Sequence, residues 1–187
     1  MYLSDVDIKK AVKEGDIILS DFDESRLQPG SYDILLGDKF LLTEDHKADS
    51  IDPVKKKYAP MREVLLEKGE TFTLHPGVSI LGVSLDYFGS RNHLLQLHGK
   101  SSLARIGLMV HNTAGLINPG WFGTITFELC NLNSIPIILT PGMPIAQLTF
   151  SKFFTEPATG YKKVSKYVNE KWKSDNTTKK FKKLKKK

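Results

Sequence analysis

Between His98 and Asn131 the chain reads HGKSSLARIGLMVHNTAGLINPGWFGTITFELCN. Two serines, two cations, glycine-bearing turns and one glutamate stand inside an otherwise apolar, strand-like run. Polar groups set between buried strands cost free energy unless they are paired or used, so chemistry is sought here first. Glu128 lies in TITFELCN, where Ile125, Phe127 and Leu129 alternate with Thr126, Glu128 and Cys130. Its own face therefore carries small, mildly polar neighbours rather than the charges of an exposed edge. A carboxylate in that setting suits proton shuttling, against the plainer reading of a solvent-facing strand residue. Gly99-Lys100-Ser101-Ser102 can hold phosphate through backbone N–H groups, hydroxyls and the lysine charge. It lacks the upstream glycine of a P-loop, and no G-x-G-x-x-G occurs.

Metal chemistry finds less support. Histidines stand at 46, 75, 93, 98 and 111, with one cysteine, Cys130, and hence no CxxC. The zinc deaminase pattern, H-x-E followed by P-C-x-x-C, is absent. No protein-held metal is expected. His93 and His98 read as structural strand histidines.

The elements that must position these residues are short strands. Residues 3–14 form a capped helix with Ser4 as N-cap and Asp7 at N3. Ile17–Leu19 is a brief strand, and Tyr32–Leu36 and Lys39–Thr43 are strands about Gly37. Residues 44–61, with Pro53 and Pro60, form a loop. Further strands are expected near 63–66, 71–74, 78–85, 93–98, 108–110, 123–130, 135–139 and 145–153, with a helical turn over 101–107. Turns fall at Lys68-Gly69, Pro76-Gly77, Pro119-Gly120 and Pro141-Gly142. This spacing predicts a mainly β fold, a sandwich or barrel, with no βαβ units.

The 187 residues suit one domain, expected over 1–175, followed by a basic tail at 176–187 that reads as disordered. The net charge of +6 belongs to that tail. Residues 179–187 hold seven of the 27 Lys and Arg and no acid, leaving 20 bases against 21 Asp and Glu. A nucleic-acid partner is therefore not expected. No apolar run reaches the roughly 20 residues of a membrane span, and the first residues lack a signal-peptide core. With one cysteine, a reducing cytoplasm is the expected setting.

Taken together, the run from His98, with SDVDI, PGSYDILLGDKF and LHPG before it and PGMPIAQLTF and EPATGY after it, resembles the dCTP deaminases, within the dCTP deaminase/dUTPase superfamily. The likeness covers about residues 3–167. It implies a distorted, dUTPase-like β-barrel subunit with a short N-terminal helix, in a homotrimer whose active sites lie between subunits. It implies deamination of the cytosine of dCTP without a metal at the base, with Mg2+ carried on the triphosphate. Glu128 matches the catalytic glutamate. Ser101 and Arg105 match residues that hold the attacking water and support the transition state, and Ala114 the position whose carbonyl grips that water. Lys100 stands where the family usually has arginine. Ser102 and Gln147 match phosphate contacts, and Tyr161, Lys166 and Tyr167 a C-terminal segment that closes over the triphosphate.

Which bond breaks is decided around Gly115 and Asn118. Thr113-Ala114-Gly115 resembles the bifunctional, dUMP-forming enzymes, whose glycine leaves room for a second water near the α-phosphate. Asn118 occupies a position where the family has aspartate. An amide can hold a 3′-hydroxyl but is a poor base, so the expected product is dUTP. Bifunctional formation of dUMP, hydrolysis of dUTP alone, and a nucleotide-binding trimer without catalysis are the alternatives. dUTP as a second substrate and dTTP as an inhibitor stay open.

Overall fold

The computed structural model describes residues 1–161. Helix α1 (Asp5–Lys13) leads into β1 (Ile17–Leu19), β2 (Leu27–Gln28) and β3 (Ser31–Thr43). Next come β4 (Met61–Leu65), β5 (Phe72–Leu74), β6 (Ser79–Ser84), β7 (Phe88–Ser90) and β8 (His93–Gly99). A single-turn helix, α2 (Ser101–Ala104), separates β8 from β9 (Leu108–Met109) and β10 (Leu116–Ile117). The described chain ends with β11 (Phe122–Gly123), β12 (Thr126–Asn131), β13 (Ile137–Leu139) and β14 (Pro144–Lys152).

The expected start of α1 is present as a reciprocal capping box. Asp7 N–H donates to Ser4 Oγ at 3.4 Å, and Ser4 N–H to Asp7 Oδ2 at 3.4 Å. Ile8 and Ala11 bury one side of the helix. Its end is a Schellman motif: Gly15, at φ 72°, donates to Val12 O, and Asp16 N–H donates to Ala11 O, each at 3.0 Å.

The main sheet has the order β10-β8-β14-β3-β6-β12-β9 and curls into a half-barrel. Its spine is β3, a single strand rather than two strands separated at Gly37. The first half of β3 pairs with β14 and the second with β6 and β4, with a register shift between Leu36 and Phe40. At the shift the backbones crowd, because a Cβ on Gly37 would lie 2.8 Å from Val83 O. Glycine there lets the strand bend and change partners without ending. A second sheet, β1-β7-β11, lies apart from this path.

Tyr32, Ile34, Leu36, Phe40, Phe88, Leu95, Phe127, Leu129, Ile145, Leu148 and Phe150 are fully buried in one core. Each such side chain contributes about 1.5–3 kcal/mol of transfer free energy. Within that core, Arg26 Nη1 meets Asp86 Oδ1 at 2.8 Å, and Asp86 Oδ2 accepts from Leu35 N–H at 2.7 Å. Among the described residues no helix is long and apolar enough to cross a membrane.

Candidate active site

Strand β12 alternates as its sequence requires: Phe127, Leu129 and Asn131 face inward, while Thr126, Glu128 and Cys130 are half-buried on the other face. Glu128 stands opposite Leu81 of β6, and its Oε2 accepts from Asn112 N–H at 3.0 Å. The loop that supplies this donor is strained. Thr113 sits at φ 65°, a left-handed conformation that β-branched residues rarely adopt. Ala114 follows on the surface, and Gly115 returns to β8, its carbonyl accepting Leu97 N–H at 2.8 Å. Near the loop, Thr126 Oγ1 and His111 Nδ1 are buried with no hydrogen-bond partner among the described residues. Glu128 is thus tied to the segment that carries Ala114 and Gly115.

A second group forms where β8 runs into α2. Lys100 precedes the helix, and its Nζ lies 2.5 Å from Asp33 Oδ2 of β3. Asp33 is buried, and its Oδ1 has no partner among the described residues. Gln147, opposite Asp33 in the register, accepts from Ser31 Oγ at 3.1 Å and donates to Gly99 O at 3.2 Å. Its amide therefore braces the backbone just before Lys100. Beyond Lys100, Ser101, Ser102 and Arg105 are exposed. Among the described residues, none of these three side chains is hydrogen-bonded or ion-paired to Glu128. The chain folds back at Gly107, whose φ is 81° and whose carbonyl accepts Leu132 N–H at 2.8 Å.

A third group lines an open groove of about 980 Å³ between α1, the Asn118–Gly120 turn and the segment after β14. Asn118 and Tyr161 both belong to it. Tyr161 lies over Gly120, where an added Cβ would stand 3.9 Å from that of the tyrosine. The predicted residues thus fall into three groups within the chain: Glu128 with Ala114 and Gly115, Lys100 with Gln147, and Asn118 with Tyr161. Lys166 and Tyr167 lie outside the described residues. Among the described residues no three His, Cys, Asp or Glu side chains cluster in a way that could hold a metal ion.

The model of the dCTP deaminase-like domain matches residues 2–153. The chain belongs to this family. A relative in Dictyoglomus thermophilum, named as a dUMP-forming dCTP deaminase, is 39% identical over 177 residues, 91% of each chain. The Tropheryma whipplei protein of the same name is 43% identical over 162 residues, 86% of this chain and 83% of its own. Among solved structures, 2′-deoxycytidine 5′-triphosphate deaminase from Agrobacterium tumefaciens shares the fold, with a TM-score of 0.61 at 19% identity. That match covers 80% of this chain and 47% of the other.

Membership in the dCTP deaminase-like family bears on the expected product. The relatives' names specify dUMP as product, not the dUTP expected from Asn118. Gly115 packs closely on β8, where a Cβ would lie 2.6 Å from Leu97 O. Sequence reasoning passed over Asp33, although a lone acid between Tyr32 and Ile34 in an apolar strand signals a buried charge in need of a cation. It also passed over the donor from Asn112. A backbone N–H leaves no mark on residue identity.

Proposed function

We propose that this chain deaminates dCTP at C4 and then cleaves the α–β phosphate bond, giving ammonia, dUMP and pyrophosphate. The observation that carries the deaminase half is the Glu128 carboxylate, held through Oε2 by Asn112 N–H on a strained loop. Its other oxygen accepts no hydrogen bond from a described residue. A carboxylate fixed in direction with a free oxygen can take a proton from water, deliver it to N3 of cytosine and hand the next to departing ammonia. Ser101 Oγ and the Ala114 carbonyl orient the water. Arg105, always charged, stabilises the polar transition state. The exposure of Ser101, Ser102 and Arg105 supports a homotrimer in which one subunit supplies this helix to the Glu128 of another.

The triphosphate is assigned to Lys100 and Ser102, with Tyr161, Lys166 and Tyr167 closing over it. Gln147 braces Gly99 and acts through Lys100. Magnesium enters with the substrate, as the cation of the triphosphate. Formation of dUMP rests on the names of relatives that are 39% and 43% identical along most of their length. One observation favours a second reading, release of dUTP: Asn118 offers no carboxylate to activate a water for phosphate cleavage.

Incubation with dCTP and Mg2+, with products resolved by anion exchange, separates the readings. dUMP with pyrophosphate is expected. dUTP alone would support the second reading, and failure to consume dCTP would overturn the deaminase assignment.

A further inference from the structure

The groove that holds Asn118 is also lined by a buried histidine paired with a partly buried acid, to which the proposed reaction gives no role. His93 is 5% exposed, and its Nδ1 lies 2.5 Å from Asp16 Oδ2. Asp16 reaches the histidine because the Schellman turn after α1 fixes its backbone. From there it grips three consecutive residues. Its carbonyl accepts Arg91 N–H at 2.9 Å, its Oδ1 accepts Asn92 Nδ2 at 2.9 Å, and its Oδ2 meets His93.

The residue before this triplet carries the connection to Asn118. Ser90 Oγ accepts from the backbone N–H of Asn92 at 3.2 Å and of His93 at 2.8 Å. The Ser90 carbonyl accepts Gly120 N–H at 2.7 Å. Within the turn, Trp121 N–H donates to Asn118 O at 3.3 Å. Next to Ser90, a Cβ on Gly89 would lie 2.2 Å from Trp121 O, so β7 and the start of β11 meet backbone to backbone. Apart from the side-chain contact of Asp16 with His93, each step from Asp16 to Asn118 is a hydrogen bond or a direct backbone contact. None depends on a long flexible side chain.

We propose that Asp16 and His93 are positioning residues that set where the Asn118 amide meets the 3′-hydroxyl of the deoxyribose. The inference rests on the reading of the chain as a dCTP-converting enzyme with Asn118 at the sugar. Asp16 and His93 touch no reacting atom. Their effect is on the Asn118 turn, through Ser90 and Gly120.

The test compares kcat and KM for dCTP and for 2′,3′-dideoxy-CTP in the full-length wild type, Asn118→Ala, His93→Phe, His93→Asn and Asp16→Ala. His93→Phe keeps bulk and removes both ring nitrogens. His93→Asn keeps a polar group near the Nδ1 position. For His93→Phe and Asp16→Ala, KM for dCTP should rise by about fivefold, the value of one lost hydrogen bond, with a smaller change in kcat. The preference for dCTP over the dideoxy compound should fall by a like factor, as in Asn118→Ala, while His93→Asn retains it. An unchanged preference in His93→Phe and Asp16→Ala, with only melting temperature lowered, would make the pair purely structural and overturn the inference. So would an unchanged preference in Asn118→Ala while wild type still converts dCTP. A wild type that leaves dCTP untouched refutes the functional reading itself. If His93→Phe does not fold, Asp16→Asn, which keeps the size and one acceptor, carries the same comparison.

Discussion

Lys100 Nζ and Asp33 Oδ2 lie 2.5 Å apart, joining the cation expected at the triphosphate to a carboxylate buried in the central strand. The pair is well shielded, with side chains 22% and 10% exposed. Neither partner is easily lost alone. Lys100→Met leaves a buried negative charge and Asp33→Asn an uncompensated ammonium, and breaking such a pair costs about 3–5 kcal/mol. The double variant should recover part of that loss. Denaturant melts of the four proteins check this, and strictly additive losses would show that the two groups are not coupled.

Glu128→Gln keeps the size of the side chain and removes its ability to carry protons. Deamination should fall by at least about a hundredfold, the lower bound of what a positioned acid–base group supplies. dCTP binding, followed by calorimetry, should change little. Retained turnover would remove Glu128 from the proton path, and lost binding would make it a substrate-holding group.

Local signals in the chain were readable where one residue type has one physical use. Ser4 and Asp7 announced the start of α1, and the alternation around Phe127 and Leu129 put Glu128 on the half-buried face of β12. Gly37 misled because glycine in a strand pattern reads as a break, whereas β6 lies so close that only glycine lets the strand pass. The short strands β2, β7 and β10 were missed, since two or three residues show no period of their own. Glu128 and the Lys100 loop were legible by residue type, and the other residues expected at the site came from the resemblance to the dCTP deaminases. Their partners, Asp33 and the Asn112 N–H, depend on contacts between positions distant in the chain.

Buried carboxylates should also mark the pH dependence of stability. Burial holds the Asp86 carboxyl above the 3.8 of an unburied aspartate, against the opposing pull of Leu35 N–H and Arg26. The folded state then binds this proton more readily than the unfolded chain does. The contribution of Asp86 is fully present below 3.8 and is lost as pH rises through the higher folded value. Wild type should therefore gain melting temperature relative to Asp86→Asn as pH falls from 7 towards 4. A relative loss over that range would show that Arg26 outweighs burial.

Gly115 offers the narrowest test of the loop that carries the Glu128 partner. An alanine methyl would have to occupy a point 2.6 Å from Leu97 O, which is β8 backbone and cannot turn aside as a side chain would. The 2.8 Å hydrogen bond from Leu97 N–H to Gly115 O is made in the same place, so relief of the clash pulls on that bond. Movement of Gly115 also carries Ala114 and Thr113, and through them the Asn112 N–H that holds Glu128. Gly115→Ala should therefore lower stability by about 1–3 kcal/mol, as overpacking does, and reduce kcat for deamination more than it raises KM. The comparison is kinetic, with dCTP as substrate and thermal melts alongside. If Gly115→Ala keeps full deamination and changes only the ratio of dUMP to dUTP, glycine at this position serves phosphate cleavage rather than the mounting of Glu128.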